Sequence, residues 1–240
     1  MLNTTSWSTL ALLFTGCAAK TTPETAAPEQ AATEAPAPAP EAARESSTTA
    51  AADVKWQPVY ADQPDGPQMS LISGNPKESS FSALVKLPAG SASKLHSHPA
   101  SMVGVTISGT VTNGRTAEDA LEIPAGSMWT QAGEEAHFTG CTADADCYFI
   151  GHMDGAMGTV PAETAVEAST MVVTAAGDIA YKPVNPEQPK GPGMVPVFGD
   201  MTSGAFTALV HFPAGAMSPK HSHSASYNAA VVSGSVSHGE

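Results

Sequence analysis

The chain has 240 residues, which allows one or two small domains. Lys and Arg number 10 against 23 Asp and Glu, a net charge of −13, and no basic run is present to neutralise phosphates, so nucleic acid is excluded as a partner. Gly (21) and Pro (20) are plentiful and aromatics few, which fits short strands joined by turns, and three cysteines are too few for a disulfide scaffold.

Residues 1–17 read as an export signal. The apolar run Trp7–Phe14 is too short to span a bilayer as a helix but suits the core of a secretory signal. It ends in Thr15-Gly16-Cys17, which resembles a bacterial lipobox with Cys17 as the lipidated residue. Phe14 stands where a leucine is usual, and no Lys or Arg precedes the run. The alternative is an ordinary cleaved signal with an incidental cysteine. Either way the chain is expected to be exported; the lipobox reading makes it a membrane-anchored lipoprotein of the bacterial envelope, periplasmic or at the cell surface. Its contact with the membrane would then be through the lipid anchor only.

Residues 18–53 are almost wholly Ala, Pro, Thr, Glu and Ser. They have no apolar face to bury and cannot offset their ordering entropy, so a disordered linker is expected. Repeated Ala-Pro favours an extended spacer with a reach on the order of 100 Å. It reads as a tether, or as a plain tail.

From Val54 the pattern changes to strands. Phe81–Leu87, Met102–Ser108, Leu121–Ile123 and Cys147–Ile150 are short runs of strand formers. They are punctuated by Gly109, by Pro124-Ala125-Gly126 and by Asn113-Gly114, the last predicted as a hairpin turn. Short strands at this spacing predict an all-β sandwich or barrel. Residues 54–155 form the first predicted barrel. Residues 156–170 are a polar connector with room for one short helix, and a second, incomplete barrel occupies 171–240.

The second barrel is predicted because the chain repeats itself. Trp56–Gly114 recurs as Tyr181–Gly239 without a gap, at an offset of 125 residues, with 25 of 59 positions identical. Each copy has a Pro-Ala-Gly turn leading to a His-Ser-His, at His96 and His98 and again at His221 and His223. The second copy stops at the counterpart of Arg115, before any equivalent of the strands that close the first. The expectation is a native chain about 40–60 residues longer, on the length of the first copy; a half-barrel pairing with copy one or another chain is the alternative.

Residues i and i+2 of a strand share a face, so His96 and His98 are expected to enter the barrel together. Buried imidazoles are costly unless hydrogen-bonded or bound to metal. His137 is a candidate third partner, brought back by an antiparallel strand. Three imidazoles with open positions suit Zn, Fe, Mn, Ni or Cu; a hydrogen-bonded histidine cluster is the alternative. His221 and His223 form an incomplete second site. Cys141 and Cys147 are open to two readings: a disulfide, expected outside the cytoplasm, or a Cys141 that lines the pocket on the face of His137. Pocket candidates are Met102, Trp129, Gln131, Cys141 and Tyr227, with Ser101 and Thr106 as lesser ones. His152 is placed either near the pocket or at a strand end. Glu134, Glu135, His211 and His238 are expected at the surface.

These residues resemble the cupin superfamily of small jelly-roll barrels. Its first motif is matched by Gly90, His96, His98 and Gly109, and in copy two by Gly215, His221, His223 and Gly234. Met102 and Tyr227 fill the slot where the family has a ligating glutamate. Of the second motif Gly126 and His137 fit, while Ala132, Glu134 and Cys141 depart from it. The wording Pro88-Ala89-Gly90, His96-Ser97-His98, Gly126-Ser127-Met128-Trp129 and His137 with Cys141 is similar to the domain of unknown function 4437. Its members resemble the cupin part of zinc-dependent anti-sigma factors of the ChrR kind. The resemblance implies tandem RmlC-like jelly rolls and a metal site without naming a reaction. The missing glutamate argues against a carboxylate-dependent dioxygenase or oxalate mechanism. Two functions follow as expectations: a metal-dependent bicupin acting on a small polar molecule, or a non-catalytic binding or sensing module of the envelope. Oligomerisation is compatible with either.

Overall fold

The computed structural model describes the backbone of residues 9–14 and residues 46–238. Cys17, most of the linker over 18–53 and Glu240 lie outside the described residues. In chain order the strands are β1 (Thr9–Phe14), β2 (Gln57–Pro58), β3 (Gln68–Gly74), β4 (Phe81–Leu87), β5 (His96–Ser97) and β6 (Met102–Ser108). There follow β7 (Thr110–Gly114), β8 (Leu121–Pro124), β9 (Met128–Gln131), β10 (Phe138–Cys141) and β11 (Cys147–Met153). The remainder are β12 (Val160–Pro161), β13 (Val172–Thr174), β14 (Lys182–Pro183), β15 (Gly193–Gly199), β16 (Phe206–His211) and β17 (Tyr227–Val231). Two single 3-10 turns are the only helical elements among the described residues.

The first repeat is a jelly roll of two facing sheets. The larger has the order β13-β9-β6-β11-β4-β3-β2, the smaller β10-β7-β8. Alternation along β4 and β11 turns Val85, Leu87, Cys147 and Phe149 inward, where they meet Val111, Ile123, Trp129 and Cys141 from the facing strands. Trp129 fills this core because β6 carries a glycine opposite it in the ladder. A Cβ on Gly104 would lie 2.2 Å from the indole ring. The other face of the same sheet packs on the second repeat: Val105 and Ile150 are buried with Ile179, Leu209 and Val232.

Two local expectations are corrected. Asn113-Gly114 is not a turn. Both residues lie in β7, paired on one side with Phe138 and Thr139, and Asn113 also with Leu121 on the other, and Asn113 is fully buried. The chain reverses instead over 115–120, where Arg115 and Asp119 form an ion pair at 2.7 Å. The helix allowed for in the connector is absent; the segment is extended there, and β12 pairs with β5.

In the second repeat, β14, β15, β16 and β17 are the counterparts of β2, β3, β4 and β6. The place between β16 and β17, which β11 holds in the first repeat, is taken by β1. The register is conserved as well. Leu10 pairs with Val210 and Val231, as Phe149 pairs with Val85 and Thr106 one repeat earlier. The slot predicted to stand open is therefore closed by the N-terminal apolar run, because a strand flanked by two unpaired edges satisfies both.

Candidate metal centre

His96 and His137 meet as an isolated antiparallel bridge. The His96 N–H donates to the His137 carbonyl at 3.0 Å, and the His137 N–H to the His96 carbonyl at 2.7 Å. One step further the Glu134 N–H donates to the His98 carbonyl at 2.6 Å. Glu134 takes a left-handed φ of 64° to turn the chain into this pairing. His96 and His98, two apart, thus face His137 across a short ladder. The ring centroids are 4.5 Å apart for His96–His137, 4.9 Å for His96–His98 and 5.3 Å for His98–His137. The potential ligand atoms of all three lie within 4.8 Å of one another.

Every ring spends its Nδ1 on a backbone carbonyl. His96 Nδ1 donates to Lys94 O at 2.8 Å, His98 Nδ1 to Gly158 O at 2.5 Å, and His137 Nδ1 to Glu135 O at 2.8 Å. A carbonyl only accepts, so each Nδ1 carries the proton and each Nε2 keeps a lone pair. The Nε2 of His137 is buried and has no hydrogen-bond partner. Burial pushes the His137 imidazolium down to a pKa of about 4, helped by the facing His96 and His98. Burial also lowers that of His98, with the His96 ring adding to it. Both are neutral imidazoles at neutral pH, the form that binds metal. An orphaned, buried acceptor among neutral imidazoles fits a divalent cation held by His96, His98 and His137.

The remaining candidates sort by place. Trp129 packs edge-on to Phe149 at 5.2 Å, and Gln131 is buried with an unpartnered Oε1. Met102 is core, touching both interior clusters. Cys141 and Cys147 form a disulfide inside the barrel, so Cys141 is both bonded and buried. Ser101 Oγ accepts from the Gly133 N–H at 3.2 Å, and Thr106 Oγ1 donates to Ile123 O at 3.0 Å, so both hold strands and loops in place. His152 points away from the other three. Its position in β11 puts it on the outer face, hydrogen-bonded to Ser82 at 2.9 Å and beside the Phe198 ring. There it lines a cavity of about 130 Å³ between the repeats.

Glu135 is a further correction. It is buried, not at the surface; Glu134 is exposed as expected. In copy two His221 and His223 are exposed with their Nε2 atoms 3.2 Å apart, and His221 Nδ1 donates to Pro219 O as His96 does to Lys94. Tyr227 packs edge-on to His223 and shares a hydrogen bond with the exposed His238 at 3.1 Å. His211 is half-buried, its ring 5.5 Å from that of Tyr181. Sequence reading missed Lys94, Gly158, Ser169 and Thr170. The first two act through carbonyls, which leave no trace in residue type; the pair Ser169-Thr170 at the end of a polar connector was the one available signal.

The family model described as domain of unknown function (DUF4437) matches residues 20–160, more than half of the chain. The chain belongs to the DUF4437 family. This DUF4437 protein is similar in structure to an RmlC-like cupin protein of Ralstonia eutropha JMP134, with 18% identity over 53% of this chain and 80% of that one and a TM-score of 0.41. It is also similar to the anti-sigma factor ChrR in complex with SigE of Rhodobacter sphaeroides, at 17% identity, 44% and 51% coverage and TM-score 0.35. The DMSP lyase DddQ of Ruegeria pomeroyi DSS-3 matches at 17% identity, 54% and 64% coverage and TM-score 0.37. No curated protein matches the DUF4437 chain. Its fold is all-β, with two facing sheets in a jelly-roll arrangement, and its three-histidine cluster is compatible with a divalent metal.

Proposed function

We propose that this protein is an exported, lipid-anchored cupin that binds one divalent transition metal through the Nε2 atoms of His96, His98 and His137. The observation that carries the reading is the shared commitment of all three Nδ1 protons to carbonyls. It leaves acceptor lone pairs in one place with no donor among them, and a cation satisfies such a set. Zn, Fe, Mn, Ni and Cu all suit imidazole.

Three protein ligands leave positions open, and a bound ion there supplies Lewis-acid chemistry to a small polar molecule. The protein's own residues shape the site: the backbone carbonyls of Lys94, Gly158 and Glu135 orient the rings. The buried carboxylate next to His137 is occupied elsewhere, since Glu135 accepts hydrogen bonds from Ser169 and Thr170. A carboxylate so engaged is a poor general base, which favours a second reading, a non-catalytic binding or sensing module.

Export is supported by the lipobox-like Thr15-Gly16-Cys17 and by the Cys141–Cys147 disulfide, a bond that persists in oxidising compartments. Elemental analysis of chelator-free protein tests the metal. One ion per chain, lost in His96→Ala or His137→Ala, supports it; metal-free protein that also refuses to load divalent ions rejects it. Intact mass of the membrane fraction, with and without Cys17→Ser, tests the anchor. Turnover on a panel of small polar molecules separates enzyme from sensor.

A further inference from the structure

The segment that leaves the first repeat passes each of the three histidines in turn. The Gly158 carbonyl accepts the His98 Nδ1–H at 2.5 Å. Val160 and Pro161 then pair with Ser97 and His96, and the Ala162 N–H donates to Leu95 O at 3.1 Å. Further on, Ser169 and Thr170 close over Glu135. Both hydroxyls donate to its carboxylate in short bonds, and the Thr170 N–H reaches the two oxygens at 3.1 and 3.0 Å. The same Glu135 gives its backbone carbonyl to His137 Nδ1–H. Immediately afterwards β13 joins the large sheet beside β9, which anchors the far end.

Glu135 is 7% exposed, and a carboxylate so buried is costly unless hydrogen-bonded. The hydrogen bonds from Ser169 and Thr170 answer that cost. They also pin the Glu135 peptide, whose carbonyl fixes the tautomer and the orientation of His137. A carboxylate held at one end and a carbonyl at the other make Glu135 a link between the connecting chain and the His137 ring, whose Nδ1 it holds.

We infer that residues 158–170 are a strap that sets the attitude of the His98 and His137 imidazoles and pairs with the strand that carries His96, with Glu135 as a positioning residue through which Ser169 and Thr170 act on His137. The inference rests on the metal reading of the site. In this arrangement the chain that joins the two repeats is a structural part of the metal centre. Its removal from Glu135 lets the His137 ring turn without removing any ligand.

The test compares full-length protein with Glu135→Gln and with the double variant Ser169→Ala/Thr170→Val. Ser169→Thr, which keeps the hydroxyl, is the conservative control. Co²⁺ is the probe. Its affinity is measured by competition with a chromophoric chelator, its geometry by the visible d–d spectrum, and the melting temperature of the metal-free chain reports folding. The expected result is about 10–100-fold weaker Co²⁺ binding in Glu135→Gln and in the double variant. A changed d–d spectrum and a metal-free melting temperature above the assay range accompany it, while Ser169→Thr behaves as wild type. Where the double variant does not fold, Thr170→Val alone is read in the same way. Wild-type affinity and spectrum in the folded variants overturn the strap and leave the metal site standing. Failure of the wild-type chain to bind Co²⁺ overturns the metal reading and the strap with it.

Discussion

His96 and His137 are joined through their main chains, each donating its N–H to the other's carbonyl, so the two ring positions are set by backbone pairing and not by their side chains. Substituting either ring therefore removes a ligand and keeps the bridge. Ion binding to the folded state alone adds about 2.7 kcal/mol when free metal is 100-fold above Kd. For a folded region of this size that is a rise in melting temperature of roughly 5–10 °C. We expect the rise in the wild-type chain with Zn²⁺ or Co²⁺, and its loss in His96→Ala and His137→Ala. Thermal denaturation with and without metal decides it; an equal rise in the variants removes these histidines as ligands.

Metal-free stability should fall in acid through His137. Its folded pKa is about 4, against an ordinary 6.5, because burial disfavours the imidazolium. Between these values the unfolded chain binds more protons than the folded one, so stability rises with pH and is lost as pH drops from about 6.5 to about 4. The full span is worth a few kcal/mol, at 1.36 kcal/mol per unit. Urea titrations of chelated protein across this window should show a shallower pH slope in His137→Gln. An unchanged slope would place the acid sensitivity in other groups.

The disulfide between Cys141 and Cys147 closes a loop over a separation of 6 residues at the end of the smaller sheet. Closing so short a loop restricts the unfolded chain by about 2 kcal/mol on the loop-entropy account. We expect Cys141→Ser/Cys147→Ser to lower stability by about that amount, and a reductant to lower the melting temperature of the wild-type chain but not of the variant. Thiol titration under denaturing conditions, before and after reduction, gives the oxidation state directly.

Gly104→Ala is expected to be among the most damaging single substitutions in the first repeat. Its Cβ would meet three ring carbons of Trp129 at 2.2, 2.3 and 2.6 Å, and that ring has no free space beside it in the core. Overpacking of this kind costs about 1–3 kcal/mol or more. Chemical denaturation measures the loss, and Trp fluorescence should report the displaced indole. A fluorescence spectrum and stability like those of wild type would mean that the sheet yields more readily than its ladder implies.

A chain beginning at Cys17, the form expected from lipoprotein processing, lacks β1. Removing residues 1–16 takes the strand that joins β16 to β17 and leaves β16 with an unpaired edge and β17 without a partner strand. Amide exchange at Leu209 and Ala230, which flank Ala11, should then accelerate, and self-association through the open edges should appear in ultracentrifugation. Unaltered exchange would show that β1 does not hold that slot in solution.

Much of the first repeat was legible because its signals are local. β4 and β6 follow runs of strand formers, and the alternation along them divides core from outer face. The i, i+2 rule put His96 and His98 on one side before any fold was known. Asn113-Gly114 misled because a good turn dipeptide was overruled by ladders on both flanks. His152 was open between the pocket and a strand end because its side of the sheet depends on register, which one residue of slip reverses, and it lies near the end of β11.

What the sequence by itself determined is the repeat, the strand-rich class and the residues chemically fit to hold a metal, since periodicity and residue type are written along the chain. Only the tertiary structure decided which histidines face one another, which carbonyls fix their protons, and that Glu135 with Ser169 and Thr170 belongs to the site. It also decided that the apolar run at the N-terminus pairs between β16 and β17, the place that β11 holds in the first repeat. The physical reason is common to all of these. Every residue carries a carbonyl and every one but proline an N–H, so partners chosen through the main chain or across a distant register have no signature in the side chains that a sequence records.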